Sequence, residues 1–193
     1  MSFSRINVLI LAFSVMWILL PRQANAQERY EIDNSHTAVI FAISHFNIGY
    51  VYGRFNKCAG NVVLDSVEPS ASNFNFSIDV NSLDTNDIGR DSHLKGEEFF
   101  DVSNYSKIEF SSKSITEERG VYSVTGTFKM LGKEKEVTIP FQKLGVGKGP
   151  FGNTRLGMIA KFSIKRSDFG MTQMAKELGD DVSITFCFQG IRK

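Results

Sequence analysis

Apolar and polar residues alternate along most of this chain, and this period of two limits the fold more than any other feature. From Phe74 to Val80 every second side chain is apolar and each one between is polar. Successive side chains of a β-strand point to opposite faces, so this pattern is typical of a strand buried on one face. The composition agrees, because the chain has 17 phenylalanines and only four prolines. The sequence therefore predicts an all-β fold.

The same alternation recurs in other segments on both sides of this strand. The clearest apolar sets are Val39, Phe41 and Ile43 with His45; Val137, Ile139 and Phe141; Met158, Ala160, Phe162 and Ile164; and Val182, Ile184, Phe186 and Phe188. Further strands are expected around 106–115 and 121–130, with short ones ending at Phe55 and running through 62–64. Only 91–101 and 171–178 lack the pattern, and these two segments are expected to be helical or irregular.

Eight or more strands in one short domain must protect their edges from pairing with other chains. Closure into an antiparallel barrel removes the edges altogether, so we expect an eight-stranded, lipocalin-like barrel with one or two short helices. A two-sheet sandwich is the alternative. Barrels of this size either pack solid or hold one ligand, and the alternation alone leaves both possibilities open.

The first 26 residues have the layout of a secretory signal peptide. Arg5 precedes an apolar run from Val8 to Leu20, and Pro21 and the triplet Ala24-Asn25-Ala26 follow. The run is shorter than the about 20 residues that a bilayer-spanning helix needs, and the triplet suits signal peptidase. We expect export to the periplasm with cleavage after Ala26. An uncleaved membrane anchor is the alternative.

Residues 27–193 are predicted to form one domain, because their number matches the usual domain size. Two arginines lie in the first 26 residues, so this part carries 20 basic and 21 acidic residues with the signs interspersed. Such a charge balance gives no reason to expect a nucleic-acid partner. An exported protein could contact a membrane or a membrane protein transiently. The chain is expected to be a monomer or a homodimer.

The two cysteines, Cys58 and Cys187, would lie in an oxidising compartment and could pair there. Cys187 sits between Phe186 and Phe188, on the opposite parity from the apolar set of that strand. Its thiol is therefore expected to point away from the apolar interior. Pairing requires the two Cα atoms to approach within about 7 Å, which the sequence leaves open.

None of the candidate catalytic or metal-binding motifs has the sequence context that its function requires. Asp168-Phe169-Gly170 matches a kinase triplet, but the catalytic and glycine-rich loops of kinases are missing. The glycine-rich segment 147–152 has a proline inside it and a strand after it, which predicts a hairpin loop instead of a dinucleotide site. His36 and His45 are nine residues apart, so on a regular strand they point to opposite faces. No catalytic residue, cofactor or metal site is predicted.

Polar residues embedded among apolar ones are the remaining candidates for a function. They are His45, His93, Arg90, Asp91, Arg166 and Asp168. Buried polar groups need partners, so the four charged residues are expected to pair with one another and pin the non-strand segments to the barrel rim. The alternative is that His45, His93 or an arginine meets the polar head of a ligand.

Several motifs in the same order resemble the YceI-like family of exported, lipocalin-like polyisoprenoid-binding proteins. They are Asp33-x-x-His36, Phe41-x-x-x-His45, Gly53-x-Phe55, Arg90-Asp91-x-His93-Leu94, Phe99-Phe100-Asp101, Ile108-x-Phe110-x-Ser112, Val124-x-Gly126 and Arg166-x-Asp168-Phe169-Gly170. The resemblance implies an eight-stranded barrel in the periplasm with a lipid chain threaded through its lumen. Family members carry isoprenoid chains, quinone-like molecules or fatty amides, so the ligand class transfers better than its identity. The glycine-rich loop 145–152 and the cysteine pair depart from the family pattern.

We therefore expect a lipid carrier or sequestering protein, not an enzyme, with a bound isoprenoid or quinone-like lipid as its ligand. The residues predicted to contact that lipid are Phe41, Ile43, His45, Phe74, Phe76, Ile78, His93, Ala160, Phe162, Phe186 and Phe188. Two alternatives stay open. One is an enzyme acting on a lipid or quinone head group, and the other is a stress-related envelope protein with a solid core.

Overall fold

The computed structural model describes residues 27–193, and the predicted signal peptide lies outside the described residues. The ten strands of this part are β1 (Glu28–His45), β2 (Gly49–Phe55), β3 (Cys58–Leu64), β4 (Asn73–Asp79), β5 (Leu83–Asp84), β6 (Lys107–Glu118), β7 (Val121–Met130), β8 (Lys133–Lys148), β9 (Thr154–Lys165) and β10 (Leu178–Arg192). One α-helix, α1 (Ile88–Lys95), and three short 3-10 turns complete it. The strands match the alternating segments of the sequence closely.

Eight of the strands close into an antiparallel barrel. Their order around it is β1, β3, β4, β6, β7, β8, β9 and β10, and β10 pairs back onto β1. The closing register runs from Tyr30 opposite Arg192 to His45 opposite Leu178. This closure confirms the all-β, lipocalin-like barrel and rules out the two-sheet sandwich.

β1 changes its neighbour along its length, and this change shapes one end of the barrel. Residues 28–31 pair with β3, whereas residues 39–45 pair with β2. A register shift between Ile32 and Thr37 separates the two parts. β2 therefore lies beside the second half of β1, and its other edge pairs with β5.

Helix α1 begins where the side chain of Asp87 accepts a hydrogen bond from the backbone N–H of Arg90, at 2.8 Å. Such a cap satisfies one of the N–H groups that the first turn of a helix leaves without a partner. The helix has no fully buried residue and lies at the end of the barrel near β2 and β5. Within residues 27–193, no helix is both long and apolar enough to cross a membrane.

The barrel interior has two halves. In the half that contains the start of β1 and the end of β10, large side chains fill the space between the strands: Tyr30, Val62, Phe74, Val124, Phe141, Leu156, Met158 and Phe188 are all 0–1% exposed. We call this the filled half. The other half, which contains the end of β1 and the start of β10, encloses a cavity and is called the open half.

Both cysteines are free thiols. Cys58 points into the barrel and is buried, and this burial raises the pKa of its thiol to about 12. Cys187 is only partly buried, on the opposite face from Phe186 and Phe188. The disulfide that the sequence left open is therefore not formed.

Candidate functional site

A cavity of about 380 Å³ occupies the open half of the barrel. Its wall is built from inward-facing apolar residues of the strands, from α1 and from the segment 171–178. The strand residues that line it include Val39, Val51, Phe55, Ile108, Phe110, Phe128, Met130, Ile139, Ile164, Val182 and Ile184. This volume falls within the range of about 300–1,000 Å³ found for small-molecule sites. The cavity contradicts the alternative of a barrel that is solid throughout.

Eight of the residues predicted from the sequence lie on the cavity wall. They are Phe41, Ile43, His45, Phe76, Ile78, His93, Phe162 and Phe186. The other three, Phe74, Ala160 and Phe188, face the interior as expected but are packed in the filled half, at 0–1% exposure. These three do not line the cavity, because the alternation determines the face of a strand on which a side chain lies but not how far the cavity extends along the barrel.

Arg166 holds the segment 171–178 against the barrel. It is only 3% exposed, and its guanidinium donates to the carbonyl oxygens of Gln173 at 2.7 Å, Gly179 at 2.9 Å and Met171 at 3.1 Å. A longer contact of 3.4 Å reaches the carbonyl oxygen of Leu178. Because one planar group joins the segment to the start of β10, it sets the position of Met171, Met174 and Leu178 on the cavity wall.

Arg90 and Asp91 meet through Thr85, not through each other. The guanidinium of Arg90 donates to the hydroxyl and the carbonyl oxygen of Thr85, both at 2.8 Å. Asp91 accepts from the backbone N–H of Thr85 at 2.8 Å and from its hydroxyl at 2.6 Å. This network fastens α1 to the end of β5.

The predicted pairing among Arg90, Asp91, Arg166 and Asp168 was therefore wrong. Asp168 is exposed, and its nearest basic partner is Lys135 at 3.9 Å. The first three residues nevertheless pin non-strand segments to the barrel, as expected. Their partners are main-chain and hydroxyl groups, which the sequence pattern does not reveal.

His45, His93, Arg90 and Arg166 also line the mainly apolar cavity, and the half-exposed side chain of His93 marks a mouth where the cavity reaches the surface. His45 ends β1 and lies edge-on to Phe46, with ring centroids 4.5 Å apart. His93 of α1 packs edge-on against Phe99, and its Nε2 lies 3.0 Å from a carboxylate oxygen of Glu98. The cavity thus combines a large apolar wall with a few polar groups, which is typical of small-molecule sites.

The position of the Phe41 ring depends on Gly53. These two residues are opposite each other on β1 and β2, and a Cβ atom at residue 53 would lie 2.2 Å from Cζ of Phe41. No side chain larger than hydrogen fits there without moving the ring. Gly53 therefore sets how far Phe41 reaches into the cavity.

Asp33 and His36, which belong to one of the sequence motifs, lie away from the cavity, where β1 shifts register beside β10. The Asp33 carboxylate accepts from Ser35 at 2.6 Å and from Arg155 at 2.6 Å, and His36 Nδ1 lies 2.9 Å from it. These hydrogen bonds, that of Ser35 first, hold the pKa of Asp33 well below its usual value. Within 27–193, no group of three or more His, Cys, Asp or Glu side chains is arranged to hold a metal ion.

The wall residues that were not predicted to contact the lipid come from two sources. Ile108, Phe110, Phe128 and Met130 follow the same alternation in strands that were predicted, so parity assigns them to the interior. Leu94, Phe99, Phe100, Met171 and Met174 belong to α1 and the irregular segments. Nothing in a period-two pattern identifies these.

The sequence of this chain is similar to those of known proteins. The YceI-like domain model matches residues 30–189. Protein YceI of Salmonella newport is 31% identical over 186 residues, covering 95% of this chain and 97% of that protein.

Two solved structures share the fold. The crystal structure of BcnA from Burkholderia cenocepacia gives a TM-score of 0.74 at 24% identity, with 82% of this chain and 98% of that chain covered. A polyisoprenoid binding domain from Saccharophagus degradans, described as implicated in plant cell wall breakdown, gives 0.65 at 15% identity, covering 85% and 98%.

Proposed function

The chain belongs to the YceI-like family, and from that premise we propose that its barrel binds one apolar lipid chain of the isoprenoid class. The observation that carries the proposal is the cavity of about 380 Å³, which is lined mainly by apolar side chains. A related fold is described as a polyisoprenoid binding domain, which favours this ligand class over other apolar molecules.

The energetics favour a chain over a compact polar ligand. Each CH₂ group that leaves water for the cavity contributes about 0.8 kcal/mol. Ordering a flexible chain offsets part of this gain. Tight binding therefore requires few polar contacts, which agrees with a wall that is mainly apolar and reaches the surface beside His93. A lipid head group, such as a hydroxyl or a quinone ring, would meet His45 and His93 there.

We propose that the ligand enters from a lipid bilayer that the mouth contacts transiently. Two segments next to the cavity wall carry exposed apolar side chains: Ile48 and Ile88 are each 90% exposed, and Phe46 is 51% exposed. Phe46 follows His45, and Ile88 precedes Gly89, so both adjoin wall residues. An apolar surface that continues into an apolar cavity gives a hydrocarbon chain a path that avoids water.

The proposed site of action is the periplasm, because residues 1–26 have the layout of a cleaved signal peptide. There the protein would transport, store or sequester a lipid that is poorly soluble in water. This role makes it a binding protein and not an enzyme. The competing proposal, catalysis on a head group, predicts that the lipid recovered after incubation is chemically altered.

A lipid-transfer assay with matched tryptophan variants tests the proposal. The protein is mixed with phosphatidylcholine vesicles that contain farnesol, the vesicles are sedimented, and protein-bound lipid is measured by mass spectrometry. Ile184→Trp adds a large ring on the cavity wall and is expected to abolish uptake. Thr185→Trp adds the same ring to the next residue of β10, on the outer face, and is expected to retain it.

Equal uptake by the two variants would contradict binding inside the barrel. Recovery of farnesol with its original mass supports a carrier, whereas a changed mass favours the enzymatic alternative. The entry route has its own test, because Ile48→Ser combined with Ile88→Ser is expected to slow uptake from vesicles and leave the affinity for farnesol in solution unchanged. An unchanged rate would contradict membrane contact at the mouth.

A further inference from the structure

The cavity ends at a layer of phenylalanines. Phe76 and Phe186 line its inner end, and their ring centroids are 4.8 Å apart at an interplanar angle of 85°. Behind them lie Phe141 and Phe188, with centroids 5.5 Å from that of Phe76. We call these four residues the phenylalanine floor.

The floor leaves no path for a chain into the filled half. Phe141 and Phe188 are 0% exposed and do not line the cavity. Phe74 closes the next layer, with its centroid 5.2 Å from that of Phe141. Aromatic rings at these separations are in contact, so a hydrocarbon chain cannot pass between them. The lumen of this barrel is therefore a pocket with a fixed depth.

The cavity volume sets the length of chain that fits. An engineered apolar cavity of about 150 Å³ in another protein binds benzene, which gives about 25 Å³ for each carbon atom. On that scale, the cavity of about 380 Å³ accommodates about 15 carbons. That is the length of three isoprene units.

We propose that the phenylalanine floor acts as a ruler that limits the buried part of a bound chain to about three isoprene units, so that affinity stops rising beyond that length. This inference rests on the proposed function and names the ligand class within it. Shorter chains leave part of the cavity empty and lose contacts. In longer chains, the additional units stay in water at the mouth and add nothing to the affinity.

Binding of a series of prenyl alcohols tests the ruler. The dissociation constants of alcohols with two, three, four and eight isoprene units are measured with the protein 27–193, with detergent below its micelle concentration. From two to three units the affinity is expected to rise at least about tenfold, because five more carbons become buried. From three to eight units it is expected to change less than about threefold.

Two variants move the floor in opposite directions. Phe186→Ala removes a ring of six carbons and is expected to shift the length at which affinity stops rising to four units. Val39→Phe places a ring beside Phe186, its partner across β1 and β10, and is expected to shift that length to two units. Phe169→Ala is the control, because Phe169 is also buried, at 2% exposure against 5% for Phe186, but does not line the cavity. It is expected to lower stability and leave the length at which affinity stops rising unchanged.

The outcomes separate the ruler from the proposed function. If affinity keeps rising through eight units, the ruler is wrong, but lipid binding stands. If no prenyl alcohol binds at any length, the proposed function fails and the ruler with it. Should Phe186→Ala fail to fold, Val39→Phe still decides the question, because it fills existing space and needs no new cavity.

Discussion

Replacing Arg166 by methionine removes the group that fastens the segment 171–178 to the barrel. The guanidinium makes three hydrogen bonds of 3.1 Å or less to main-chain oxygens and is 3% exposed. Hydrogen bonds to a charged group contribute about 1.5–3 kcal/mol each, which gives an upper limit of about 4.5–9 kcal/mol. The charge that methionine removes was itself costly to bury, so we expect a net loss of about 3–5 kcal/mol.

Two measurements report this loss of stability in Arg166→Met. Urea denaturation reports the global free energy of unfolding, and a loss of about 4 kcal/mol corresponds to a lowering of Tm by about 8–16 °C for a domain of this size. Hydrogen exchange reports where the loss occurs, and we expect faster exchange of the amides in 171–178. Arg166→Lys is not expected to restore protection, because an ammonium group cannot reach the three oxygens together.

Arg155→Met is the control for the loss of an arginine. Arg155 is held by Asp33 at 2.6 Å and by Gln189 at 3.0 Å, near the end of β10 and far along the barrel from the mouth. Its replacement is expected to lower stability but leave exchange in 171–178 unchanged. A loss below about 1 kcal/mol for Arg166→Met, with the segment still protected, would refute the assignment of Arg166 as its anchor.

Other consequences of the structure can be measured separately. Gly53→Ala is expected to push the Phe41 ring into the cavity and weaken farnesol binding about tenfold. Gly49→Ala, on the same face of β2 with open space around its Cβ, should leave the affinity for farnesol unchanged. Equal effects of the two variants would contradict the contact between residue 53 and Phe41. The lowered pKa of Asp33 means that its carboxylate stabilises the fold above the ordinary value of 3.8 and loses this effect as the pH falls below it. The stability difference between the native protein and Asp33→Asn, from urea midpoints, should therefore shrink between about pH 5 and pH 2, and a constant difference would argue against the ion pair. The Cys58 thiol, buried with a pKa of about 12, should react with iodoacetamide in Cys187→Ser only after unfolding; rapid labelling of the folded protein would place this thiol outside the core.

The fold could be predicted from the sequence because each strand carries its own signal. The alternation at Phe74–Val80 corresponds to β4, and that at Val182–Phe188 corresponds to β10. A barrel interior is the place where all the apolar faces meet, so the pattern also identified most of the cavity wall. Local periodicity is enough for these features because side-chain direction follows directly from residue number.

The depth of the cavity depends on packing between strands that are far apart in sequence, and periodicity does not record it. Phe186 and Phe188 have the same parity, yet only Phe186 reaches the cavity. The partners of Arg90 and Arg166 were missed for a similar reason. They are oxygens of Thr85 and of the main chain of 171–179, and main-chain atoms carry no residue-specific signal.

Mass spectrometry tests most directly whether the open half of the barrel holds a lipid chain. The protein would be purified without detergent from its own host, weighed under native and denaturing conditions, and then extracted with organic solvent. We expect one lipid per chain that is released on denaturation, with an apolar part of at least about 15 carbons. An empty protein that also fails to take up added prenyl alcohols would contradict the claim.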